Sequence, residues 1–177
     1  MKKNKKYPRI YAFIDSQNLN LGTSKDLYNK KHKKIYNGWK LDFKKFRVYL
    51  SDKFHVSEAF LFIGRISQNE SMYKKLKSYG YHIIFKPTTK DELGKPKGNI
   101  DAELVLYSAA IEFPNYNKAI VVSGDGDFYC LYEYLRAKEK LQNIIIPNRF
   151  SESSLLKKFQ KYKIFIDREK ENLKFKS

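Results

Sequence analysis

Cysteine is almost missing from this chain. Cys130 stands alone, which excludes an intramolecular disulfide and a thiolate zinc cluster; its expected place is that of a small core residue. No apolar run reaches the roughly 20 residues that a membrane-spanning helix needs, because charge or glycine interrupts the longest ones. The opening segment MKKNKKYPRIYAFID is basic, yet it runs directly into a strand-like stretch ending on an acid. It lacks the apolar core and small-residue cleavage site of a secretion signal, so a cytoplasmic protein with no membrane association is expected. There is no Gly-rich phosphate loop with a following Lys, and no aspartyl-phosphate motif. Acids are the minority charge, 19 Asp and Glu against 36 Lys and Arg.

The resulting net charge of +17 attracts polyanions such as RNA or DNA. Charge alone does not decide the matter, because the excess is mostly Lys accompanied by many Tyr, Phe, Ile and Asn, a profile that an A/T-rich genome imposes on any protein. The 177 residues, 42% hydrophobic and 16% aromatic, suit one domain with a real core. That domain is expected over residues 1–177, with its core at about 9–166 and basic tails at both ends.

Hydrophobic periodicity alternates strand with helix along most of the chain. Strands are expected at 9–14, 56–63, 81–85, 119–122 and 144–146, with a further one at 163–166. Helical spacing covers 41–50, 69–79 (Met72, Leu76 and Tyr79 on one face), 101–111, 128–138 and 154–160. Gly80 sits where a helix commonly stops on a left-handed residue. Residues 22–40 and 88–98 read as loops, and the tail after Arg168 as solvated. Strands rich in Ile, Val and Phe between helices imply a three-layer α/β/α sandwich with a mostly parallel central sheet.

Right-handed crossovers would put every strand-to-helix loop at one edge of that sheet, the edge where ligands bind in open α/β folds. Asp15 directly follows the first strand, Asp125 and Asp127 follow the fourth, and Asp101 opens the helix before it. Each acid alone has an ordinary reading, since an Asp after a strand is often a helix N-cap. Ser123-Gly124-Asp125-Gly126-Asp127-Phe128 could be a simple turn, but it is too short for an EF-hand and lacks the terminal Glu. Four carboxylates gathered at one edge repel one another unless a cation neutralises them. Oxygen donors without Cys or His suit Mg²⁺ or Mn²⁺.

Three segments, Phe13-Ile14-Asp15-Ser16-Gln17-Asn18-Leu19, Lys97-Gly98-Asn99-Ile100-Asp101 and Val122-Ser123-Gly124-Asp125-Gly126-Asp127-Phe128, resemble the signatures of NYN domains, in the family's order. That family belongs to the PIN-like, Rossmann-like group of metal-dependent nucleases. The resemblance implies a metal site at Asp15, Asp101, Asp125 and Asp127, with Asn18 orienting a ligand or the scissile phosphate and Ser123 bracing the turn. One departure stands out. Many relatives carry another acid where this chain has Tyr107; Glu103, the nearest substitute, is two residues from Asp101, so on a helix it points elsewhere, whereas with Asp101 still in the N-cap it would lean inward.

The resemblance thus implies an Mg²⁺- or Mn²⁺-dependent endoribonuclease acting on RNA; DNA stays open as a substrate. Positive charge should rim the acidic pocket, and Lys30, Lys31, Lys33, Lys34, Lys40, Arg65 and Lys97 (with Lys90 and Lys95) all follow strands at the active edge, although any one of them reads equally as a solvated charge. Tyr36 and Trp39 are candidates either for base stacking or for packing the loop. His32, His55 and His82 are poorly placed for a general base. Two other functions compete: a nucleic-acid-binding module with a weakened metal site, and a phosphatase for small phosphoesters.

Overall fold

The computed structural model of the protein describes residues 8–86, 89–90, 96–97 and 101–176, the two short stretches for their backbone alone. In chain order the strands are β1 (Ile10–Asp15), β2 (Leu27–Tyr28), β3 (Lys34–Tyr36), β4 (Val56–Gly64), β5 (Tyr81–Lys86), β6 (Thr89–Lys90), β7 (Pro96–Lys97), β8 (Lys118–Val122), β9 (Leu141–Ile146) and β10 (Lys163–Phe165). The α-helices are α1 (Ser16–Ser24), α2 (Phe43–Phe54), α3 (Glu70–Ser78), α4 (Asp101–Leu106), α5 (Tyr129–Ala137) and α6 (Lys170–Leu173).

Strand β1 shows why the layers form. Successive strand residues point to opposite faces, and IYAFI is apolar throughout. Ile10, Ala12 and Ile14 enter one core with Leu19 of α1 and Phe46, Leu50 and Phe54 of α2. Tyr11 and Phe13 enter the other with Leu104 of α4 and Leu131, Tyr132 and Leu135 of α5. Six strands pair in the order β10-β9-β8-β1-β4-β5, all of them parallel, so the expected α/β/α sandwich is present.

The helices follow local rules. Asp42 caps α2, accepting from the Lys44 and Lys45 amides, and Phe46, Leu50 and Phe54 recur every four residues as its buried stripe. Gly80, with φ of 89°, follows α3 as the left-handed residue, where a side chain would be strained.

Four expectations fail for physical reasons. Residues 22–40 are not a loop: α1 continues to Ser24, and β2 and β3 form an antiparallel hairpin. The hairpin's far end folds back onto α1, since the Tyr36 hydroxyl and the Trp39 amide both donate to the Thr23 carbonyl. In α3 the buried residues are Tyr73 and Leu76, while Met72 faces out; the Tyr73 hydroxyl donates to the Gly64 carbonyl and turns that face inward. Cys130 is exposed, because Leu131, Tyr132 and Leu135 take the buried face of α5. The tail is not solvated: Leu173 of α6 is 2% exposed, and the Asp42 amide donates to its carbonyl. The short pair β6 and β7 is antiparallel within the segment read as a loop; Lys95 and the residues Gly98 to Ile100 lie outside the described residues.

Candidate acidic site at the sheet edge

The connection leaving β1 leads to β4 and β5 on one side, whereas β8 leads to β9 and β10 on the other. The strand order therefore reverses between β1 and β8, and a crevice opens beyond their carboxyl ends. Ile14 pairs with Val122 across that junction, so Asp15 and the Ser123–Asp127 turn leave the sheet side by side. A cleft of about 510 Å³ occupies the crevice, lined by Asp15, Asn18, Asp101, Asp125 and Asp127.

Asp15 is 5% exposed. Its carboxylate caps α1, accepting from the Asn18 amide at 2.9 Å. Burial pushes its pKa up to about 6; the backbone bond from Asn18 opposes the rise, and the negative charges of Asp101 and Asp125 add to it. Asp125 caps the following turn through the Asp127 amide at 3.0 Å, while its own amide donates to Ser123 Oγ. Cap and site are thus the same residues here. Directly behind them Tyr132 is fully buried and donates its hydroxyl proton to the Ser123 carbonyl. Burial holds that phenol's pKa well above 10, helped by the negative charges of Asp125, Asp15 and Asp101.

Asn18 joins the two loops. Its Oδ1 accepts from the Gly124 amide at 2.9 Å, which leaves its NH₂ as the group available to the cleft. Gly126 is small because of a close approach: a Cβ there would come within 2.3 Å of Ser153 Oγ. The Ser153 amide in turn donates to the Gly124 carbonyl, so the loop after β9 becomes a third wall. From that loop Asn148 and Ser151 line the cleft, as does Lys25 at the end of α1. Sequence reasoning missed all three, although the end of β9 at the same edge was a usable signal for Asn148.

The donor chemistry, hard carboxylate oxygens with mutual repulsion, suits a divalent cation. The four acids expected to form a metal site, Asp15, Asp101, Asp125 and Asp127, all line this one cleft. Among the described residues no three His, Cys, Asp or Glu side chains are disposed to hold a single ion, and two of these carboxylates, Asp15 and Asp125, are held by caps. Glu103 does not supply the missing acid, being 3.5 Å from Lys86 Nζ and not part of the lining. Tyr107 packs edge-on against Phe62.

The cations divide. Lys30, Lys31 and Lys33 are exposed on the turn between β2 and β3, which Asn29 organises by accepting from the Lys31 and Lys33 amides. Lys34 is paired with Asp26 at 2.6 Å. Lys40 lies over the Phe175 ring, and Arg65 pairs with Glu70. None of these six lines the cleft, because the hairpin carries its lysines outward and ion pairs or rings hold the others elsewhere. The side chains of Lys90 and Lys97 lie outside the described residues. Tyr36 and Trp39 are buried, so packing, not stacking, is their role.

The family model described as NYN domain matches residues 9–167, nearly the whole chain, and that family is generally nuclease-like with divalent-metal dependence typical. A crystal structure of a protein of unknown function from Vibrio parahaemolyticus superposes with a TM-score of 0.69. It is 20% identical in sequence, with 99% of this chain and 100% of that one covered, and it supports the fold. No protein with a curated description matches the chain.

Proposed function

The chain belongs to the NYN domain family, and from that membership together with the acidic cleft we propose that it is a ribonuclease dependent on Mg²⁺ or Mn²⁺. The observation that carries this reading is the meeting of Asp15, Asp101, Asp125 and Asp127 in one cleft at the strand-order reversal. Asp15 and Asp125 would hold the principal ion, with Asp101 and Asp127 completing its shell or gripping a water. Bound there, such an ion supplies a Lewis acid and lowers the pKa of a coordinated water. The chain's own groups orient the scissile phosphate: the Asn18 NH₂ and the Lys25 ammonium offer hydrogen bonds to its oxygens, and the amino end of α1 faces the same cleft. Lys30, Lys31 and Lys33 attract the polyanion from further out.

One observation favours a second reading, a nucleic-acid-binding module with a weakened metal site. No three acids are disposed around a single ion among the described residues, and Tyr107 stands where many relatives have an acid. Incubating the purified protein with labelled RNA and DNA, in Mg²⁺, in Mn²⁺ and in chelator, decides between them. Cleavage of RNA that chelator stops is the expected result. Tight RNA binding with no metal-dependent cleavage of any RNA offered would replace the enzyme by the module.

A further inference from the structure

Phe150 is 52% exposed, yet it does not sit on a loose loop. Asn148, itself fully buried, fixes the backbone on both sides of it. The Asn148 Nδ2 donates to the Gly22 carbonyl, its Oδ1 accepts from the Phe150 amide at 2.8 Å, and its carbonyl accepts from the Ser151 amide. The Phe150 ring leans on Tyr36 with centroids 6.4 Å apart. The Arg149 guanidinium lies 5.8 Å from the ring centroid and is anchored to Asp167 at 2.6 Å. The residues two before and one after Phe150, Asn148 and Ser151, both line the acidic cleft.

We infer that Phe150 is a stacking platform for an unpaired base of the strand whose phosphate enters the cleft, which makes single-stranded RNA the substrate at the point of cleavage. The inference rests on the reading of the cleft as a nucleic-acid site. A scattered exposed Phe needs no explanation; this one is pre-organised between two residues that line a polar cleft, though it does not itself line it, with a cation beside its ring. Held in advance, the ring loses little freedom when a ligand arrives. An aromatic face accepts any base, whatever its sequence, but only a base with a free face. Inside a duplex both faces of a base are already stacked. Arg149, held by Asp167, braces the ring from the side, and the net charge of +17 suits a polyanionic ligand.

The test is binding in chelator, so that no cleavage enters it. The probes are a short single-stranded RNA carrying 2-aminopurine, whose fluorescence falls on stacking, and a duplex of the same sequence. Phe150→Ala should weaken single-strand binding about tenfold, abolish the quench and leave duplex binding and the salt dependence unchanged. Phe150→Trp should restore both affinity and quench, and melting curves of the two variants should match the parent. Wild-type affinity and quench in Phe150→Ala, or equal losses on single strand and duplex, overturn the inference. Its failure is separable from that of the proposed function: RNA cleavage with Phe150-independent binding removes only the platform, whereas Phe150-dependent binding without cleavage removes only the nuclease.

Discussion

Buried carboxylates are held in the charged form only when something favours that charge, and at Asp15 burial works against it. Its pKa is raised from 3.8 to about 6, so in metal-free protein the folded state binds the proton more tightly than the unfolded state. The stability this contributes is full below about pH 4 and is lost as pH rises through about 6, a change on the order of 3 kcal/mol. Asp15→Asn keeps the acceptor that caps α1 and removes the charge. Urea melts in chelator should therefore show the variant gaining on the parent between pH 4 and pH 7, with a flattened pH profile; a parent-like slope would assign the pH dependence to other groups. Mn²⁺ should raise the parent's melting temperature through mass action and leave that of Asp15→Asn nearly unmoved. Asn18 makes a different demand. Asn18→Ala strips the Gly124 amide of its acceptor, a partly buried bond whose loss costs about 1–3 kcal/mol. Denaturant titration should register that loss, and cleavage should fall with it.

At the scale of elements, the site is a junction of three loops, those after β1, β8 and β9, and the third is zipped to the second through Ser153. Gly126→Ala drives a methyl into Ser153 Oγ and should cost about 1–3 kcal/mol together with activity. Adding Ser153→Gly, which removes the clashing oxygen, should recover part of the stability; no recovery would mean the clash lies elsewhere. The edge position of Asp15, Asp125 and Asp127 was readable because the rule linking parallel strands to one active edge needs only the strand ends, and those are marked by apolar runs that stop at an acid. Asn148 could have been read the same way from the end of β9, but Lys25 and Ser151 were not legible, because the loop after β9 is brought to the cleft by contacts between distant segments: Asn148 to Gly22, and Ser153 to Gly124. The same cause hid the hairpin of β2 and β3, whose strands of two and three residues are too short to show a strand period and whose pairing is supported by Tyr36 and Trp39 folding back on Thr23. It hid α6 as well, where a single apolar residue, Leu173, fills a gap beside α2 and Leu41. The glycines of the Asp125 turn have no left-handed φ, and close neighbours explain them.

Over the whole molecule, the exposed lysines of the β2–β3 turn lie apart from the acidic cleft, and under the proposed function that distance would separate affinity from chemistry. Lys30, Lys31 and Lys33 stand exposed on one turn, whereas Lys34 is already paired with Asp26. Replacing the three exposed lysines by Ala should reduce the slope of log K against log salt by roughly 2 for a single strand. It should raise KM and leave saturated turnover intact, because such contacts hold ground and transition states alike. An unchanged salt slope would show that RNA passes elsewhere on the surface. The acids belong to the other half of the division. The measurement that tests the central claim most directly is the single-turnover cleavage rate in Mn²⁺ at saturating RNA, with Asp15→Asn and Asp125→Asn set beside the parent. Each substitution should lower that rate by at least about 100-fold, the loss of more than 2.7 kcal/mol of transition-state stabilisation, while RNA stays bound as tightly as before or more so. A parent-like rate in either variant would contradict the account and move the chemistry away from this cleft.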